Sequence, residues 1–165
     1  MLDLGSSSTT LGQGQQGMGH DKRRRMSIET RIDTDAGVAV HRVEGEIDLD
    51  QIRQAWENLM QNPDFDPALN VLWDLSGCSR AVINAQDIKR IRDETAAILE
   101  YRQPGYRVAL LATRDLYFGL CRMFEAHASD LPIDVKVFRD RDAAWGWLTG
   151  GDVSSATTGP SGENR

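Results

Sequence analysis

Cysteine is scarce in this chain: Cys78 and Cys121 are the only two among 165 residues, and they stand 43 positions apart. That spacing builds neither a zinc framework nor a disulfide scaffold, and it suits a reduced, cytoplasmic compartment. Long apolar runs are missing as well. No stretch approaches the roughly 18 apolar residues of a membrane-spanning helix, so no helical span is expected. Positive charge is short, with 19 Lys and Arg against 25 Asp and Glu, a net charge of −6. Residues 1–25 carry Lys22, Arg23, Arg24 and Arg25 against Asp3 and Asp21, a balance of +2, and residues 151–165 balance at −1, which leaves −7 on residues 26–150. A body this acidic lacks the basic face that phosphate contacts need, and nucleic acid is not an expected partner.

Aromatic residues are confined to the middle. All eleven lie between Trp56 and Trp147. Residues 1–25, rich in Gly, Ser, Thr and Gln, bury too little to offset the entropy of ordering them and read as a disordered leader. Their basic cluster follows the weakly apolar stretch, the reverse of a secretory signal. Lys22–Arg25 is either simply solvated or a contact to an acidic lipid or protein surface. Gly150-Gly151 opens a second flexible tail over 151–165. One domain remains, residues 26–150.

Within it, Ile28, Thr30 and Ile32 alternate with polar residues as a half-exposed strand does, and Asp35-Ala36-Gly37 turns the chain into a second strand from Val38 to Val43. Gly45 marks a bulge or a close backbone approach. Asp48, three residues before Gln51, caps a helix with Leu49, Ile52, Trp56, Leu59 and Met60 on one face, ending at Pro63. Val71-Leu72-Trp73, closed by Asp74, reads as a strand buried on both faces. A loop from Leu75 to Asn84 leads to a helix capped by Asn84 with the stripe Ile88, Ile91, Thr95, Ile98 and Leu99, stopped by Pro104-Gly105. Val108 to Ala112 is another buried strand. Thr113 or Asp115 caps a third helix carrying Leu116, Leu120, Met123, Phe124 and His127 until Pro132. Val135 and Val137 make a last strand, and Asp140 caps a final helix that buries Ala144, Trp147 and Leu148 and stops at Gly150. The order β-β-α-β-α-β-α-β-α predicts an α/β fold with a mostly parallel sheet covered by helices. Its expected working edge is at the carboxyl ends of the strands: Gly45 to Asp48, Leu75 to Asn84 and Thr113 to Asp115.

That edge assembles no catalytic set. There is no nucleophile elbow, Walker loop, His-Glu-x-x-His or Cys-x-x-Cys, and neither metal nor cofactor is expected. His127 suits the C-terminus of its helix as a cation or a packed ring. Asp74 suits capping of the loop that follows it. Ser76 and Ser79, with Arg80, Arg114 and the helix start at Asn84, fit either local turn hydrogen bonds or the binding of an anion or a protein partner.

Three segments carry a resemblance: Gly45-Glu46-Ile47-Asp48 entering the first helix, Val71-Leu72-Trp73-Asp74-Leu75-Ser76-Gly77 ending the central strand, and Val135 to Asp140 leading to Ala144 and Trp147-Leu148. In these the chain resembles the STAS domain of bacterial anti-sigma factor antagonists, and more closely its SpoIIAA-like, stand-alone group, over residues 26–150. The resemblance implies a non-catalytic regulatory module that presents loops and a helix face to a protein partner. In the antagonists a phosphorylated Ser or Thr follows the central strand; the equivalent Val82-Ile83-Asn84-Ala85 has no hydroxyl, so the phosphoacceptor is missing. Some relatives also resemble the Sec14 lipid-carrier fold, which implies a small apolar ligand between helices and sheet. Trp56, Trp73, Phe118 and Phe124, with Tyr101 and Trp145, are the candidates to line such a pocket or else ordinary core. Homodimerisation through a strand edge or through Trp145 also fits.

Overall fold

The computed structural model describes residues 26–150, and the leader and tail expected at either end, Lys22–Arg25 included, lie outside the described residues. Strands β1 (Met26–Asp33), β2 (Val38–Ile47), β3 (Asn70–Ala81), β4 (Arg107–Leu111) and β5 (Asp134–Phe138) alternate with helices α1 (Leu49–Met60), α2 (Ala85–Ile98), α3 (Asp115–His127) and α4 (Arg141–Leu148). They form one α/β sheet in the order β1-β2-β3-β4-β5, with β1 antiparallel to β2 and the rest parallel. This is the architecture and element order that the hydrophobic periodicity predicts.

Parallel neighbours in strict sequence order, joined by crossovers of one hand, put every crossover helix on the same face. Accordingly α1, α2 and α3 bury Ile52, Ile88, Ile91, Tyr117, Cys121 and Phe124 against Val43, Val71, Trp73, Val108 and Leu110. Helix α4 follows the last strand and is free of that constraint. It folds under the opposite face, where Ala144 and Leu148 meet Val38, Leu72, Ala109, Leu111 and Phe138. Alternate residues of β3 and β4 therefore serve two cores, which is why those strands read as unbroken apolar runs.

Local chemistry sets the boundaries. Asp48 and Gln51 form a reciprocal capping box on α1, and Asp140 caps α4 through the amide of Ala143. Gly150 ends α4 with a φ of 80° that only glycine adopts cheaply.

Four expectations are corrected. Strand β3 does not stop at Asp74: it runs on to Ala81 beside the end of β2, with register shifts between Arg42 and Glu44 and between Gly45 and Glu46. The predicted loop from Leu75 is thus mostly strand, its alternation hidden by the irregular register. Helix α2 ends at Ile98 in a 3-10 turn, Leu99–Tyr101, before Pro104 is reached. Arg114, not Thr113 or Asp115, holds the cap position of α3 and makes no side-chain cap. Finally, α3 buries Tyr117, Cys121 and Phe124, while Leu116 is 70% and Met123 37% exposed. Both stripes have helical spacing, and the bulkier aromatic one is the one that packs.

Gly77 shows what holds the extended part of β3 in place. A Cβ there would lie 2.8 Å from the carbonyl oxygen of Val43, a backbone atom that cannot step aside. Gly77→Ala is expected to lower stability by about 1–3 kcal/mol through this overpacking, read as a reduced urea midpoint.

Candidate functional site

Two regions gather polar side chains in unusual surroundings. The first is the carboxyl edge. Asp74, 1% exposed, accepts from the amide and hydroxyl of Ser76 at 3.0 and 2.5 Å on one oxygen and from Arg141 at 2.6 Å on the other. It pins β3 to the start of α4, so its capping role extends to a tertiary tie. Arg114 donates to the carbonyl of Ser79 at 3.3 Å, which brings those two residues together apart from Ser76. Arg80 meets Glu46 at 3.4 Å with its side chain 71% exposed, a pairing of little energetic weight. Asn84 caps α2: its side chain accepts from the amides of Gln86 and Asp87, and the Asp87 carboxylate accepts from the Asn84 amide. The first donors of α2 are therefore already engaged, and all five residues serve internal contacts. Leu116 and Val82, the latter 47% exposed, are apolar and bare at this same edge.

The second region is an apolar cavity of about 120 Å³ between the three-helix layer and the sheet. Its floor includes the cross-strand partners His41, Trp73 and Leu110, and Thr30 adjoins His41 in the same row of the sheet. Trp56 of α1, Ile88, Ile91 and Thr95 of α2, and Tyr117, Cys121 and Phe124 of α3 close the roof and walls. Helices α2 and α3 pack on one another, whereas α1 and α2 make little direct contact. Across that gap Arg53 of α1 grips both carboxylate oxygens of Glu94 of α2 at 2.9 Å.

Of the aromatic candidates, Trp56, Trp73 and Phe124 lie on the cavity wall. Phe118 does not; it is half-buried beneath the guanidinium of Arg139, 4.1 Å from its ring centre. Tyr101 is 57% exposed, and Trp145 is half-buried beside α4's core on the opposite face.

Two groups in the cavity escape sequence reasoning. His41 is fully buried; its Nδ1 lies 2.8 Å from Thr30 Oγ1, its ring stacks on Trp73 at 4.2 Å, and its Nε2 has no partner. Arg102, 7% exposed, donates to the carbonyl of Leu69 and stacks 4.0 Å above Tyr106, yet its Nε is also unpartnered. Placement beside Leu69 and Tyr106 puts this polar end near the amino ends of β3 and β4, away from the edge where function is expected. A signal for His41 exists in its inward parity between Ala39 and Val43. Arg102 sits in an aperiodic segment and has none.

Burial, and next the charge of Arg102, lowers the His41 pKa to about 3, so the ring is neutral. Burial also raises both thiols, Cys121 to about 12, which keeps them protonated and unreactive. Among the described residues no cluster of three metal-ligating side chains occurs, and no helix is long and apolar enough to cross a membrane.

No protein-family model matches the chain, and no curated protein is significantly similar to it. One solved structure that it resembles is described as an uncharacterized protein of the DUF3478 family with a SpoIIAA-like fold, from Shewanella loihica PV-4. The TM-score is 0.49 and the identity 18%, covering 87% of this chain and 99% of that one.

The His41 environment has a pH signature. A base whose pKa is lower folded than unfolded contributes full stability above its unfolded value and loses it as acid protonates the unfolded chain. Stability is expected to fall from about pH 6.5 toward pH 3, by up to about 1.4 kcal/mol per pH unit from this group. His41→Gln removes that part of the slope in urea melts; an unchanged slope contradicts the assignment.

Proposed function

We propose that this chain is a non-catalytic binding protein that holds a small, largely apolar molecule between its three-helix layer and its sheet. One observation carries the reading: an apolar cavity whose wall includes a fully buried histidine with an unsatisfied nitrogen. An empty void of this size costs a fold about 3 kcal/mol at roughly 24 cal/mol per Å³. An orphaned buried donor or acceptor adds about 1–3 kcal/mol. An occupant relieves both. A cavity of ~150 Å³ lined by Leu, Ile and Phe holds benzene, which sets the scale of the ligand: one ring or a short chain. The gap between α1 and α2, bridged by Arg53 and Glu94, is the natural mouth. Protonated thiols and an Asp74 engaged on both oxygens support binding over chemistry.

Native mass spectrometry of freshly purified full-length protein is expected to show a mass excess from a retained small molecule. Titration with benzyl alcohol should give a saturable change in tryptophan fluorescence, since Trp56 and Trp73 line the space. Val108→Phe, which fills the cavity from its floor, should abolish that response while keeping the thermal midpoint. A protein with no mass excess and no saturable response overturns the proposal.

A second reading, a regulatory module docking a protein partner at the carboxyl edge, is favoured by the exposure of Leu116 and Val82. On that reading Leu116→Asp leaves the thermal midpoint within about 0.5 kcal/mol of equivalent stability and abolishes capture of a specific partner from cell extract. Undiminished capture by the variant counts against it.

A further inference from the structure

We infer that the occupant of the cavity is a small carboxylate with an apolar body, its anionic head held by Arg102 and His41; this rests on the cavity reading above. Arg102 is permanently cationic, almost fully buried, and among the described residues no carboxylate pairs with it. One arm of its guanidinium is satisfied by the Leu69 carbonyl and its face by Tyr106, but its Nε is left without a partner in the cavity wall. Tyr106 and Asp66 offset only part of the cost of burying it. A buried cation whose counter-charge is only partial is expensive for a fold to hold, and a ligand anion lowers that cost.

The second donor is His41. The hydroxyl of Thr30 can donate to Nδ1, 2.8 Å away, which leaves the ring proton on the unpartnered Nε2. His41 and Arg102 both stand on the wall of the same cavity. Two unpaired N–H groups on the wall of one apolar cavity favour an acceptor-only anion such as a carboxylate. A cationic ligand would meet Arg102 with repulsion, and a hydrocarbon would leave both donors unsatisfied. The remaining wall, from Trp73 and Leu110 to Ile91 and Phe124, offers mainly apolar surface for the body. With a volume of about 120 Å³, it suits an aromatic or short-chain acid and not a long acyl chain.

The test titrates the full-length protein with three probes that share a ring: benzoate, benzyl alcohol and toluene, followed by tryptophan fluorescence and calorimetry. Benzoate should bind at least about tenfold tighter than benzyl alcohol, the discrimination expected of a charge-assisted, desolvated pair. Arg102→Met should erase that preference. His41→Gln, which keeps a side-chain N–H donor, should reduce the preference in part, and it preserves the test should Arg102→Met fail to fold. Benzoate binding no better than benzyl alcohol in the unmodified protein overturns the carboxylate assignment and leaves the cavity reading standing. Saturable binding by none of the three overturns both.

Discussion

Strict sequence order among parallel strands is the constraint from which the rest of this structure follows. Because β2, β3, β4 and β5 lie side by side in the order in which they are made, α1, α2 and α3 are all delivered to one face. Three helices must then roof a five-stranded sheet, and they do so unevenly: α2 packs on α3, while α1 stands apart. The cavity lies under this roof. Helix α4, released from the crossover rule, seals the other face with a smaller, closely packed core around Leu72 and Ala109.

The polar groups of the sheet divide along the same lines. On the α4 face, Asp74 is buried and fully engaged by Ser76 and Arg141, so its charge holds two elements together. On the three-helix face, His41 and Arg102 are buried and incompletely engaged. Equal burial with unequal satisfaction separates a structural tie from two groups with bonding capacity left over. The bulged end of β2 and the extension of β3 past Gly77 form the carboxyl edge, where the expected binding residues turn out to serve internal contacts.

Much of the fold was legible in the residues. Asp48 with Gln51, Asn84 and Asp140 mark helix starts by capping chemistry that acts within four residues, and the uninterrupted runs at Val71 and Val108 announce strands covered twice. Where two patterns compete, the sequence underdetermines the outcome. Leu116-Leu120-Met123 and Tyr117-Cys121-Phe124 are both valid helical stripes, and only the volume available against Trp73 and Leu110 selects the second. The extension of β3 was hidden because an irregular register breaks the alternation by which strands are read. Trp56, Trp73 and Phe124 could be picked out as large apolar side chains at inward positions. Arg102 could not, because nothing local tells a solvated arginine from one folded beneath a distant carbonyl and an aromatic ring.

The central claim is that the space beneath the helices is made to be filled. A high-resolution crystal structure of the protein, purified without organic additives, tests this most directly. The account predicts continuous density larger than water in the cavity, ending within hydrogen-bonding distance of Arg102 Nε and His41 Nε2. Helices closed down on the sheet, with Trp56 and Ile91 occupying the space and both nitrogens paired to protein atoms, would contradict it.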